Sequence, residues 1–528
     1  MVEKLDKEAI RDILASRFKT DKCTKLSLIP QPCCFKDIDK ATKRIVEAIK
    51  LQTPIGIVGD YDVDGVISSV ILTDFFDALN AAYVLKIPNR FNDGYGLNPN
   101  IVKEIGTSLI ITVDNGINAH EAADFCKANS IDLIITDHHT PAPTLPNAYA
   151  IINPKQESCD FPHSEICGAQ VAWYLVASLK KEMNVDYDLA KSLDLLAVAI
   201  VADMMELLDI NRTMVIGGIS SLNSSMRPAF ESIKLYFKKD QFESDDISFL
   251  IAPLINSSGR MDDAHLSYDF LKSQSLDEAM CLLEPIVSLN NQRKEEEQRL
   301  FDASLEKVEP EDNIVVVWGK SWHEGVIGIV ASRLARRFNK PSIVFSIENG
   351  YAKGSARGVG EIDMLSLLVK NKKFLLGFGG HKGAAGMQIE SRKLTAFKSA
   401  LNIACKDIPS ELTMDNEVLG EVDPEIIDFE LLKILECFEP YGQKNPRPAF
   451  LIKSAEVKID KLIGREKTHL KLILQTKTKT LESLFFNFDT KVKKGDIIDI
   501  IFTVQKNAYR GLVTPQLLIK QVLSYKQK

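Results

Sequence analysis

Three short apolar runs in the first third of the chain each end directly in a cluster of acidic or histidine residues. Residues 55–58 (Ile-Gly-Ile-Val) lead into Gly59-Asp60-Tyr61-Asp62-Val63-Asp64-Gly65. Residues 109–113 lead into Asp114-Asn115-Gly116, and residues 133–136 into Asp137-His138-His139. With 83–87 and 149–152 these runs read as five buried strands, and the stretches 65–79 and 119–128 between them read as helices. Strand–helix alternation at this spacing predicts an α/β fold with a mostly parallel sheet covered on both faces. Ligands of such sheets bind beyond the carboxyl ends of the strands, so the three clusters are expected to converge on one edge.

A lone Asp after a strand is usually a cap or turn residue. Three clusters at three strand ends are harder to explain that way. Convergent carboxylates repel one another unless a cation neutralises them. Imidazole and carboxylate donors without a thiolate suit Mn²⁺ or Mg²⁺ better than a structural zinc. Asp203, at the end of the apolar helix expected over 195–202, is a fourth candidate ligand. Two such ions can activate water and stabilise both oxygens of an in-line displacement, so the reaction class is hydrolysis of a phosphate ester or anhydride. The sequence has neither a Gly-x-Ser-x-Gly nucleophile nor a phosphate-cradling Walker loop.

At 528 residues the chain should hold several domains. Residues 165–275 read mainly as helices. A charged, glycine-free stretch over 284–308 predicts one long connector helix, with Pro285 in its first turn and Pro310 as its stop. A second, smaller α/β pattern runs over 313–407, with a strand at 314–318, a helix at 325–337 and a strand at 342–345. Five strands are then expected at 455–459, 469–474, 483–488, 497–504 and 516–522, which suits an OB-type barrel. Phe485, Phe486, Phe488 and Phe502 are expected mostly in its core, with Tyr509 beside Arg510 the best stacking candidate. The expected domains are thus 1–275, the connector 276–309, 310–407 and 408–528.

Charge supports a division of labour. The net charge is −7, yet residues 451–528 carry 16 Lys/Arg against 7 Asp/Glu, leaving −16 on the other 450 residues. A basic module on an acidic body is a reasonable footprint for a polyanion-binding domain on a catalytic core. A Lys-rich solvated surface explains the charge equally well. Nine cysteines without a Cys-x-x-Cys favour a reducing cytosol. No apolar run reaches the ~18–20 residues a membrane span needs, and no signal peptide is evident.

In order, Asp60-Tyr-Asp62-Val-Asp64-Gly, Asp114-Asn-Gly, Asp137-His138-His139 and Asp203 resemble the four signature motifs of the DHH phosphoesterases. The resemblance implies two divalent ions, Mn²⁺ or Mg²⁺, bridged by Asp114. Asp62, His138 and Asp203 would surround one ion, Asp60 would share the other with Asp114, and His139 would face the scissile phosphate. Asp64 would either ligate or hydrogen-bond a metal water. Smaller family members place a histidine where this chain has Gly56. Gly379-Gly380-His381-Lys382-Gly383-Ala384-Ala385-Gly386-Met387 resembles the substrate-binding motif of the DHH-associated domain, where Gly380 lets backbone approach a phosphate or sugar and His381 donates to it.

Gly354-Ser355-Ala356-Arg357, His323-Glu324-Gly325-Val326-Ile327-Gly328, the segment 88–96 with Arg90, Pro253-Leu-Ile-Asn-Ser-Ser-Gly-Arg260 and the segment 438–446 are similar to those of the RecJ nucleases. By that resemblance Arg90, Arg260, Ser355 and Arg357 hold the backbone or 5′ phosphate of single-stranded DNA, and cleavage runs 5′→3′. Leu254 stands where that family usually has arginine. The resemblance further implies a cytoplasmic monomer in DNA repair and recombination, with a single-strand-binding protein or a helicase as the kind of protein partner. Three other readings compete: a DHH hydrolase of short oligonucleotides or cyclic dinucleotides, a RecJ-derived nucleic-acid-binding scaffold without activity, and a plain OB-fold binding protein. The long connector and basic barrel weigh against the first, the complete ligand set against the second. The third explains only the last quarter of the chain.

Overall fold

Apolar side chains on both faces of Ile55–Val58 and Leu109–Val113 leave these strands buried throughout, so they must lie inside a sheet covered on both sides. The computed structural model shows that sheet. It describes residues 4–406 and 418–526, apart from Tyr95, Ser225, Met226, Glu361, Arg465, Glu466, Asn487, Asp489, Thr490, Lys491, Arg510 and Gly511. Five parallel strands run in the order Tyr83–Lys86, Ile55–Val58, Leu109–Val113, Asp132–Thr136, Ala150–Ile152. Helices Pro99–Ile105 and His120–Ala128 close one face through Ile101, Val102, Ala122 and Cys126. Helices Ile38–Lys50, Val63–Ala78 and Gly168–Met183 pack on one another as a second helical layer.

Two compact units make up the chain. One comprises Pro30–Asp203 and Gly217–Met414, the other Met1–Ile29, Met204–Ile216 and Asp415–Lys528. The first unit contains the parallel sheet, a second five-stranded sheet, and a helix Leu276–Leu305 that links them. Its 30 residues span roughly 45 Å. Its first half buries Ala279, Leu283 and Ile286, and its last turns bury Leu300 and Phe301 in the core under the second sheet. The helix starts at Leu276, where the expected connector 276–309 begins, and ahead of the charged stretch 284–308. Ser275 caps it by accepting from the Glu278 N–H (3.2 Å), and Pro285 sits inside the helix rather than in its first turn. Packing on Ala252–Met261 and Pro228–Phe237 offsets the lost backbone bond.

In the second sheet the order is Leu375–Gly380, Ala384–Glu390, Tyr351–Arg357, Ser342–Glu348, Val315–Lys320, with only the last pair parallel. The glycine-rich segment is an edge hairpin: Gly379 pairs with Gly386, and only 381–383 form the turn.

Within the other unit, Ala449–Ile463, His469–Gln475, Thr480–Phe485, Leu512–Lys526 and Ile497–Tyr509 close on themselves as a five-stranded barrel. Two further strands extend its sheet: Val418–Val422 and, beside it, Lys4–Leu5. The adjoining helix Lys7–Ser16 buries Ile10 and Leu14 in the same core as Leu431 and Leu435, and Lys7 bonds Asp428 and Glu430, each at 2.6 Å. The described residues up to Ile29 thus fall in one compact unit with Met204–Ile216 and the barrel, a grouping that cuts across the expected stretch 1–275. Phe485 and Phe502 are core as expected, whereas Phe486 is 45% exposed; the side chain of Tyr509 and all of Arg510 lie outside the described residues. Among the described residues no helix is long and apolar enough to cross a membrane.

Candidate metal centre and active site

The strand ends deliver their polar residues to one place. Asp60 and Asp62 follow Ile55–Val58, and Asp62 caps Val63–Ala78 by accepting from the Gly65 N–H (3.1 Å). Asp114 follows Leu109–Val113 with a left-handed backbone, φ 62°, which Asp and Asn tolerate better than most residues. Asp137-His138-His139 follows Asp132–Thr136, and Asp203 ends the helix Leu193–Ala202. The ligand atoms fall into three overlapping groups, each within 4.8 Å of one another: Asp60–Asp62–Asp114, Asp114–His138–His139 and Asp64–His138–Asp203. Asp114 belongs to two of them, the sharing that a bridging carboxylate requires.

Their partners, or lack of them, indicate what the site can hold. Oδ1 of Asp114, Nε2 of His138 and Oδ2 of Asp203 are buried without a hydrogen-bond partner. His138 Nε2 lies 3.2 Å from Asp114 Oδ1 and 3.4 Å from Asp203 Oδ2. Buried polar atoms are nearly always paired, so several unpaired ligand atoms facing one another fit divalent cations. Burial, reinforced by the neighbouring carboxylates, pushes Asp114 and Asp203 well above the usual carboxylate range. Burial and then Asp62 push Asp60 up to about 8 and Asp64 up to about 6. His138 is driven down to about 3 by burial and by His139, leaving the neutral imidazole that ligates metals.

Asp62 groups with Asp60 and Asp114, while the place expected for it beside His138 and Asp203 is taken by Asp64. Asp64 also accepts from the Gly168 and Ala169 N–H groups (2.5 and 2.9 Å), holding the start of Gly168–Met183 against the site. That arrangement needs glycine, because a Cβ at 168 would come within 2.5 Å of Asp114 Oδ1. The missing histidine at 56 also has a steric reason: a Cβ there would meet Ile105 and Thr107 at 2.5 and 2.6 Å. His139 is anchored by Asp137, whose Oδ1 lies 2.7 Å from Nδ1; as Asp137 can only accept when ionised, the ring presents Nε2 outward. Burial opposes charge on His139, but the Asp137 bond overrides it and raises the imidazole to about 9.

The predicted substrate residues belong to the same unit. Arg90 lies over the Tyr61 ring (4.1 Å) and donates to the Gly259 carbonyl (3.3 Å). Arg260 donates to the Gly325 carbonyl (3.3 Å); burial, then Arg90, lowers it to about 10, with Arg293 and Arg357 adding to the same effect. Arg357 donates to Ser355 Oγ (2.9 Å). His381 accepts the Gly383 N–H at Nδ1 (3.2 Å), and burial, then Arg357 and His139, lower its pKa. Gly380 is exposed at φ 146°, in the left-handed region. Leu254 is fully buried on Ala252–Met261 and makes no polar side-chain contact. Lys155, which carries no motif, acts electrostatically on His138, Asp203 and His381. The signal that could have found it is its place three residues beyond the strand Ala150–Ile152.

Known proteins share this plan. Residues 54–200 match the DHH family N-terminal domain, 311–407 the DHHA1 domain and 420–521 the RecJ OB domain. The single-stranded-DNA-specific exonuclease RecJ of Bacillus subtilis strain 168 is 35% identical over 93% of this chain and 64% of its own length, so the chain spans less than two thirds of that relative. The Salmonella typhimurium exonuclease of the same name is 32% identical over 92% of this chain and 90% of its own. The crystal structure of RecJ with Mn²⁺ from Thermus thermophilus superposes with a TM-score of 0.84 at 25% identity, covering 98% of this chain and 76% of that one. With the metal-ligand cluster at the edge of the parallel sheet, Arg357 and His381 on the second sheet of the same unit, and an OB barrel in the other unit, the chain belongs to the RecJ family of DHH proteins.

Proposed function

We propose that this chain is a metal-dependent exonuclease that hydrolyses phosphodiester bonds of single-stranded DNA from the 5′ end, using Mn²⁺ or Mg²⁺. The observation that carries the reading is the set of unpaired buried ligand atoms on Asp114, His138 and Asp203, in the same unit as a cluster of guanidinium groups. Asp60, Asp62, Asp114, His138 and Asp203 are the residues to hold two ions. When bound, the ions supply positive charge at the phosphate and activate water. The protein does the rest. Asp137 keeps His139 charged and aims Nε2 outward, where it can stabilise negative charge on the scissile phosphate or protonate the leaving oxygen. Arg90, Arg260, Arg357 and Ser355 hold the strand and its 5′ phosphate, since a guanidinium fork matches phosphate oxygens. Gly380 and His381, whose Nε2 is left to donate, grip the backbone between the two sheets.

Domain roles follow the same reading: residues up to the end of the second sheet carry out hydrolysis, and the barrel holds the strand. The relatives' names support a single-stranded DNA substrate. A single-strand-binding protein or helicase is the class of protein partner, with the chain a cytoplasmic monomer acting in repair and recombination. Digestion of 5′- and 3′-labelled DNA and RNA strands with Mn²⁺ or Mg²⁺ tests the core claim. Release of the 5′ label first, from DNA in preference to RNA, is expected. Release of the 3′ label first, or faster cleavage of a dinucleotide than of a long strand, would overturn it.

Two variants separate chemistry from grip. His139→Ala is expected to lower kcat by ~10²–10⁴ with little change in DNA affinity. Arg357→Ala should instead raise KM and blunt any preference for a 5′-phosphorylated end. The reverse pattern means that the two roles are exchanged. The barrel is tested in the full chain, because the helix Lys7–Ser16 shares its core. Lys461 and Lys471 are paired neighbours on adjacent barrel strands, and Lys471 also bridges Glu482 at 2.8 Å, a contact that a strand phosphate must compete with. Replacing both with alanine should flatten the log–log salt dependence of long-strand binding by about 0.7 for each phosphate no longer neutralised. An unchanged slope would move the DNA path off this face.

A further inference from the structure

The strand Tyr351–Arg357 alternates between core and solvent. Ala352 and Ala356 are buried in the core, while Tyr351, Lys353, Ser355 and Arg357 share the other face. Lys353 therefore follows the proposed phosphate-holding pair Ser355 and Arg357 along one row, roughly 7 Å from Ser355. At that position lies an open groove of about 290 Å³ lined by Phe91, Ser321, His323, Glu324, Glu348 and Lys353, with Trp322 and Ser346 beneath. Phe91 comes from the segment next to Arg90, is 36% exposed and meets the His323 ring edge-on at 5.5 Å.

The lining selects the ligand class. Lys353 is neutralised by Glu324 (2.9 Å), and Glu348 adds a second, exposed carboxylate, so the groove disfavours a phosphate. His323 Nδ1 accepts the Gly325 N–H (3.1 Å), which leaves Nε2–H as the ring's donor. An aromatic wall with one ring donor and two carboxylate acceptors is complementary to an uncharged heteroaromatic ring that carries both acceptors and an exocyclic amine. That description fits adenine, cytosine and guanine; thymine has no exocyclic amine to give.

We propose that this groove is a nucleobase subsite that receives the base of the 5′-terminal nucleotide whose phosphate is held by Ser355 and Arg357. The proposal rests on the nuclease reading for the identity of the strand. It makes the enzyme sensitive to the terminal base, with Phe91 supplying the stacking surface and Glu348 the preference for amine-bearing bases.

The test uses the full chain and 5′-phosphorylated strands that differ only in their terminal residue: cytosine, adenine, thymine or an abasic sugar. Binding is read by fluorescence anisotropy without added divalent ion, and KM is read separately with Mn²⁺. Strands ending in adenine or cytosine should bind about tenfold more tightly than the abasic strand, the order of one base–aromatic stack. Phe91→Ala should bring that ratio close to one by weakening only the strands that carry a base. Glu348→Ala should erase the preference for cytosine over thymine while retaining that for cytosine over the abasic strand. Equal binding of abasic and normal strands by the wild type overturns the proposal. So does a Phe91→Ala variant that weakens the abasic strand as much as the others. Base-dependent binding by a protein that releases no nucleotide with Mn²⁺ or Mg²⁺ would keep the groove and sink the nuclease.

Discussion

Asp114→Asn is expected to lower kcat at least about a thousandfold, ~4 kcal/mol in barrier, while raising the thermal midpoint of the metal-free protein. The two halves of that result share one cause. Asp114 belongs to two ligand groups, so losing its charge weakens the hold on both proposed ions at once. The same carboxylate is buried among Asp64, Asp62, Asp60 and Asp203, and without cations its charge destabilises the fold. Asparagine is the informative substitution, because it tolerates φ 62° and keeps the shape packed against Gly168. Single-turnover hydrolysis and thermal melts with and without Mn²⁺ check both halves. A variant retaining more than about a tenth of wild-type kcat, ~1.4 kcal/mol, contradicts the bridging role.

From pH 6.5 to 8 the metal-free protein is expected to lose stability, and Mn²⁺ to restore progressively more of it. Asp60 is held up to about 8 in the fold but ionises near 3.8 when unfolded, and Asp114 and Asp203 are displaced in the same direction. Across this window the unfolded chain binds fewer protons than the native one at these sites, so stability falls as pH rises. His139, raised to about 9 from 6.5, acts in the same sense. His138, lowered to about 3, works oppositely but only below about 6.5, which is why the window starts there. Metal binding needs the ionised carboxylates and so gains with pH. At a hundredfold excess over Kd it adds ~2.7 kcal/mol, or about 5–10 °C at ~2–4 °C per kcal/mol. Melting curves at fixed ionic strength decide the matter. A metal-free midpoint that climbs over this range, or an Mn²⁺ increment that stays flat, would mean that these carboxylates do not share a site.

The sheet and most of the metal centre are legible in the sequence because each ligand is announced locally, by an apolar run that stops at an acid. Asp60, Asp114 and His138 need no knowledge of distant chain. Asp64 does: its partners, the N–H groups of Gly168 and Ala169, lie over a hundred residues away and look like any helix start. What misleads in the connector is Pro285, which reads as a first-turn residue although the fold starts the helix nine residues earlier at the capping signature Ser275-Leu-Asp-Glu278. Glycines at 379, 380 and 386 carry no strand signal because a residue without a side chain has no alternation to show, although pairing along their backbones makes them strand. Lys4–Leu5 is too short for any periodicity, and nothing local links it to residues 421–422.

That last pairing has a consequence for how the protein is made. Lys4 sits opposite Glu421, 417 residues later in the chain. At ~5–20 residues per second a ribosome needs roughly 20–80 s to travel between them. Throughout that time the apolar stripe of Lys7–Ser16, with Ile10 and Leu14, has no native partner to cover it. The parallel sheet, whose strands are close in sequence, can close long before. The segment Lys4–Ser16 is therefore docked only after residues more than 400 positions later have emerged, and chaperones that bind nascent apolar helices have a long opportunity at this stretch.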